Sequence, residues 1–161
     1  MKKFIYSIFA VLALSCTFVA CGSDDDDESI SRSTSAEQAS AGTYSGTFIR
    51  TLDGVTDSGS GTVTLAAGSS AGVTNVTINL TGTDSKGGAI TVSDSSPANI
   101  TYANHGYQFV QQITNGNDAN TLGSAFVGTI DENGVMTLSF NKDQRNGRVL
   151  STYIFAFTGN K

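Results

Sequence analysis

The chain has 161 residues, with 14 acidic against 9 basic side chains, one histidine, two cysteines and no tryptophan. That length suits one domain, and the sparse, unclustered Lys and Arg exclude a nucleic-acid-binding surface. Both cysteines, Cys16 and Cys21, lie near the N-terminus, so the remainder has no disulfide framework, cysteine nucleophile or thiolate metal site.

Met1-Lys2-Lys3 is a basic start, residues 4–13 are almost unbroken apolar, and residues 14–20 mix apolar with small side chains. This is the order of a secretory signal. Ser7, Ser15 and Thr17 interrupt the apolar run, leaving it short of the roughly 20 apolar residues of a membrane-spanning helix. Val19-Ala20-Cys21 resembles a bacterial lipobox. The resemblance implies cleavage before Cys21, a diacylglycerol on its thiol and usually a third acyl chain on its freed amine. Two or more chains anchor a protein stably where one does not.

Ser23-Asp24-Asp25-Asp26-Asp27-Glu28 follows. It resembles the lipoprotein export signal of Bacteroidetes, which implies an address on the outer face of the outer membrane. On charge alone the same run is a solvated, self-repelling linker. Residues 29–41 are small and polar, so a disordered tether is expected, with at most a frayed turn around Glu37-Gln38. The expected division is a signal peptide at 1–20, a lipidated cysteine and tether at 21–41, and one folded domain at 42–161.

From Gly42 onward Gly, Thr, Val, Ile, Phe and Tyr dominate in short runs bounded by Gly, Asn, Asp and Ser. That texture predicts many antiparallel strands, near 43–50, 59–67, 73–81, 88–94, 99–104, 106–114, 124–131, 135–142 and 149–159. The count is eight or nine, since residues 100–114 can form one bent strand. Tyr44, Gly46 and Phe48 share one face, as do Val63 and Leu65, then Val76, Ile78 and Leu80, then Ile90 and Val92, then Met136, Leu138 and Phe140. One face is therefore buried and one wet. The last run is apolar on both sides, with Tyr153, Phe155 and Phe157 opposite Leu150, Ile154 and Ala156. It is expected to be covered on both faces or to flank a partner. Short links at residues 84–88, 131–134 and 144–148 favour an all-β, up-and-down barrel of about eight strands.

Gly42-Thr43-Tyr44-Ser45-Gly46-Thr47, the stretch from Gly128 through Asn133-Gly134 to Leu138, and the closing Phe155-Ala156-Phe157-Thr158-Gly159-Asn160-Lys161 resemble the calycin-like (lipocalin-like) β-barrel domains of Bacteroidetes lipoproteins. The resemblance spans residues 42–161. It implies an eight-stranded barrel around a small apolar cavity. Lipocalins place tryptophan where this chain has Tyr44.

Little in the domain suggests catalysis. His105 stands alone in an expected turn, without a second histidine or a cysteine to share a metal or a proton. No Gly-x-Ser-x-Gly elbow links a strand to a helix. Asn115-Gly116-Asn117-Asp118-Ala119-Asn120 offers oxygens but only one carboxylate, too few for a strong calcium site. Lys142, Arg145 and Arg148 gather at the last hairpin, either to meet an anionic ligand or headgroup or as solubilising edge charges. Asp94-Ser95-Ser96 loosely resembles a Bacteroidetes O-glycosylation site. The aromatic residues Tyr44, Phe48, Phe109, Phe126, Phe140, Tyr153, Phe155 and Phe157 line a ligand cavity if the barrel is hollow and form its core if it is filled.

The expectation is a non-catalytic, lipid-anchored protein on the outer membrane, without cofactor or metal, whose barrel binds a small apolar or amphipathic ligand. The alternative is an adhesion or capture module with a filled core that meets a glycan or protein. Exposed loops around Tyr102 and Tyr107 would then form its platform.

Overall fold

The structure, a computed structural model, describes residues 34–111, 126–146 and 148–161. Cys21, the acidic run 23–28 and the 115–120 loop lie outside the described residues. The described residues belong to one compact unit, Arg32–Lys161, which contains every strand found among them, together with the core.

After a short helix, α1 (Ala36–Ser40), eight strands follow among the described residues: β1 (Gly42–Leu52), β2 (Val55–Ala67), β3 (Val73–Thr83), β4 (Ala89–Ala103), β5 (Gly106–Gln111), β6 (Val127–Ile130), β7 (Val135–Asn146) and β8 (Val149–Asn160). Each pairs antiparallel with the next, and β1 pairs with β8, so the all-β sheet closes into a ring. Closure removes the open edges along which sheets aggregate. It also leaves every strand one inner and one outer face.

The alternation read from the sequence sets those faces. Tyr44, Phe48, Val63, Leu65, Val76, Ile78, Leu80, Ile90, Val92, Met136, Leu138 and Phe140 are all buried inside the ring. Outside, hydroxyls pair across strands, as in Thr43–Thr64 at 3.0 Å, Thr77–Ser95 at 3.1 Å and Thr129–Thr137 at 2.8 Å. Such cross-strand pairs each contribute a few tenths of a kcal/mol to about 1 kcal/mol.

Three expectations change. The segments 88–94 and 99–104 are one strand, β4, continuous through Pro97, whereas Asn104-His105 breaks 100–114 into two. Ile100 N–H bonds Gly72 O at 2.8 Å, so even-numbered residues of β4 direct their amides toward β3. Odd-numbered Pro97 would direct its missing N–H toward β5, one residue before the described β4–β5 pairing begins at Ala98↔Gln111. Its lack of a donor therefore costs the β3 ladder nothing.

The outer face of β8 is not covered. Leu150 and Ile154 are 57% and 45% exposed, while Tyr153, Phe155 and Phe157 point inward. Finally, Ala36–Ser40 is a helical turn packed on the ring where a frayed tether was expected, so the folded unit starts before Gly42. Glu37 accepts Gly72 N–H at 3.1 Å, and Tyr44 Oη donates to Ser40 O at 2.8 Å. Hydrogen bonds from its own amide, the Ser35 hydroxyl and Gly72 hold the Glu37 carboxyl below the usual range. The helix thus plugs the end of the ring at which β1 begins.

The turns explain the register. Asp131 Oδ1 accepts N–H from Asn133 and Val135, and Gly134 takes φ of 77°. Asp84 repeats this with Lys86, Gly88 and Gly87. In both loops the aspartate side chain closes the turn and the glycine supplies the left-handed residue. In the 131–134 turn, Gly134 alone of the Asn-Gly pair is left-handed.

Candidate functional site

The interior is filled. Phe140 stacks on Phe155 with centroids 4.8 Å apart and planes within 5°, Phe48 sits 5.7 Å from Phe155, and Phe109 meets Phe126 edge-on at 6.3 Å. Of the eight aromatic residues expected to line a cavity or form the core, Tyr44, Phe48, Phe109, Phe126, Phe140, Phe155 and Phe157 are buried core. Tyr153 is half-buried. Inward-facing glycines make room for the rings: at Gly128 a Cβ would be driven into Phe109, and at Gly59 into Phe48.

Burial has an electrostatic consequence at Tyr44. Loss of water, aided by the nearby Tyr107, pushes its phenol up to about 12 from an ordinary 10.0. The anion is thus disfavoured in the folded protein. The associated stability is complete below pH 10 and is lost as pH rises through about 12. Tyr44→Phe is expected to flatten that alkaline loss, read by urea titrations at pH 9 to 12 alongside phenolate absorbance.

Above the aromatic layer, at the end opposite α1, the ring opens into a cup of about 260 Å³. Ile90, Val92 and Phe155 supply its apolar floor, and Arg50, Lys142, Gln144 and Tyr153 line its walls. Register builds this layer. Arg50 follows Phe48 by two residues on β1 and is paired with Asp57 on β2. Lys142 follows Phe140 by two on β7 and lies opposite Tyr153 on β8. All four therefore continue the inward face beyond the last core residues.

Two ion pairs sit there. Arg50 donates to Asp57 Oδ2 from Nε at 3.2 Å and Nη2 at 2.5 Å, with both side chains less than a tenth exposed. The guanidinium carbon lies 4.4 Å from the centroid of the Tyr153 ring, a cation–π contact. The Arg50 hydrogen bond, followed by Ser85 N–H at 2.8 Å, holds the Asp57 carboxyl below its usual range. Lys142 Nζ donates to Asp94 Oδ2. Asp94 is reached from β4 and is not part of the cup lining. Arg50 and Lys142 thus present charged donors to the cup, each gripped by an acid outside its lining, and Asp143 adds a carboxylate to the lining itself.

The grouping of Lys142, Arg145 and Arg148 at the last hairpin is corrected in one respect. Lys142 turns inward to Asp94 instead of joining a surface patch, because its position shares the parity of Phe140. Arg148 is exposed. His105 lies exposed in the β4–β5 turn with φ of 61°. Tyr102 and Tyr107 pair edge-on at 5.6 Å beside that turn, at the plugged end, with Tyr102 44% exposed. Among the described residues no cluster of three or more His, Cys, Asp or Glu could hold a metal ion.

Comparison with protein families, with curated proteins and with solved structures returns no match to this chain. The reading of the site therefore rests on its own geometry. Arg50, Asp57, Asp94 and Lys142 were not anticipated as an inward layer. The signal lay in the alternation itself, which places each of Arg50, Asp94 and Lys142 two residues beyond an inward apolar one.

Proposed function

We propose that this protein is a non-catalytic, lipid-anchored binding protein of the calycin-like kind, displayed on the outer membrane, that takes a small amphipathic molecule in its end cup. The observation that carries the reading is the cup, whose apolar floor lies beneath polar and charged walls. Its volume falls just below the roughly 300–1,000 Å³ of ligand pockets, which suits a short apolar group with a polar head. α1, where the described residues of the folded unit begin, lies at the end of the ring opposite the cup. The lipobox-like and export-signal-like segments support the membrane address.

A ligand that binds only the folded state raises stability by RT ln(1 + [L]/Kd), about 2.7 kcal/mol at a hundredfold excess over Kd. A thermal-shift series of short amphiphiles against residues 32–161 is expected to raise Tm. Ile90→Trp, which fills the cup, is expected to abolish the rise. A second reading, a glycan- or protein-capture module, is favoured by the packed interior and by the exposed Tyr102 at the opposite end. It predicts shifts with oligosaccharides that survive Ile90→Trp, and that outcome would replace the first reading.

A further inference from the structure

We infer that the molecule held in the cup carries a single carboxylate, received by Lys142 and Arg50 beside the Tyr153 ring. This rests on the reading of the cup as a binding site and adds the chemistry of the head group. Lys142, Tyr153 and Arg50 lie on three consecutive members of the closed sheet, β7, β8 and β1. Arg50 is level with Phe155 and Lys142 with Tyr153. The two cations are therefore two strand spacings apart across the sheet and two residues apart along it, about 12 Å between backbones, and both long side chains can reach toward one anion between them. Both line the cup, and Phe155 and Val92 lie in its floor where an attached apolar chain would rest.

The protein leaves donors for such a group. Among the described residues Arg50 spends Nε and Nη2 on Asp57, and Lys142 spends one proton on Asp94. The Nη1 protons and two ammonium protons remain to be accepted. A guanidinium and an ammonium held in place are suited to charge-assisted bonds with a planar carboxylate. The head group carries no more than one negative charge because Asp57 and Asp94 already pair both cations and Asp143 also lines the cup. The anion is thus held through the remaining charged donors and not by an excess of positive charge. A dianionic phosphate monoester would meet two cations each already gripped by an acid. A neutral alcohol would meet the remaining donors with ordinary hydrogen bonds only, weaker than those a carboxylate accepts.

The test is an amide-resolved NMR titration of residues 32–161 with octanoate, octan-1-ol and octyl phosphate in parallel. Octanoate is expected to bind about tenfold more tightly than octan-1-ol, the size of one charge-assisted bond, and to move the amides of Val92, Tyr153 and Phe155. Lys142→Gln is expected to remove that advantage. Asp94→Asn, which frees Lys142 from its acid, is expected to tighten octanoate several-fold. No purely structural role for the pair predicts that gain.

Equal binding of octanoate and octan-1-ol at the cup would overturn the carboxylate while leaving the cup as a site. Tighter binding of octyl phosphate would overturn the monoanion. If none of the three probes moves the cup amides, the proposed function fails together with the inference.

Discussion

Phe155→Ala is expected to destabilise the protein by about 3–5 kcal/mol, the range for removing a fully buried aromatic ring. Phe155 stands where the two halves of the interior meet. Its ring stacks on Phe140, lies 5.7 Å from Phe48 and forms part of the cup floor. Its backbone is paired on both sides, with Arg50 on β1 and Phe140 on β7, so the strands cannot collapse into the gap without breaking closure. A large share of the lost transfer and stacking energy therefore stays lost. The same substitution joins the vacated space to the cup. Chemical denaturation is expected to show a lower midpoint at unchanged slope, and longer-chain amphiphiles are expected to gain affinity relative to short ones. A loss below 1 kcal/mol would mean that the aromatic layer is not the close-packed core described.

Gly128→Ala is expected to be nearly as damaging, although it adds only one methyl group. Gly128 faces inward on β6, opposite Phe109 on β5, and a Cβ there would enter the Phe109 ring. That ring is fully buried and packed against Phe126, so it has no free direction in which to move. Overpacking of this kind costs about 1–3 kcal/mol and sometimes more. Phe109→Leu alone removes an aromatic ring and destabilises. Combined with Gly128→Ala it is expected to recover part of the loss, giving a favourable coupling between two residues in contact. Additive effects in the double-mutant cycle would show that the glycine does not serve to accommodate the ring.

Much of the ring was legible from the chain because its inner face is written in apolar residues at every second position. Val76-x-Ile78-x-Leu80 and Met136-x-Leu138-x-Phe140 fix the face, and hence the register, of β3 and β7 without help from the rest of the fold. The sequence is silent where inward residues are small or charged. Residues 55–58, Val-Thr-Asp-Ser, look like a loop, yet they extend β2 by four residues beyond the expected start at 59. Asp57 and, after it, Gly59 and Gly61 hold the inward positions there, which no hydrophobic pattern reveals. Asp53-Gly54, with φ of 49° and 82°, supplies the tight hairpin that brings Leu52 opposite Val55.

Pro97 misleads for a related reason. It reads as a break between two strands, because the sequence does not show which neighbour its missing donor would have faced. The charged layer was hidden by the same rule. A lysine after Phe140 and an arginine after Phe48 look like strand-end charges until closure of the sheet turns them toward a common interior. Conversely, the apolar outer positions Ile49 and Ile154 suggest cover that the structure does not provide. A β-branched side chain suits a strand whether or not its face is buried.

The account turns on whether the open end of the ring holds a molecule. The most direct measurement is native mass spectrometry of residues 32–161, released from its own cells without detergent and compared with Ile90→Trp prepared in the same way. The account predicts a small additional mass on the wild-type protein that is absent from the filled variant. A wild-type protein that flies at its bare mass, or an adduct retained equally by Ile90→Trp, would contradict it.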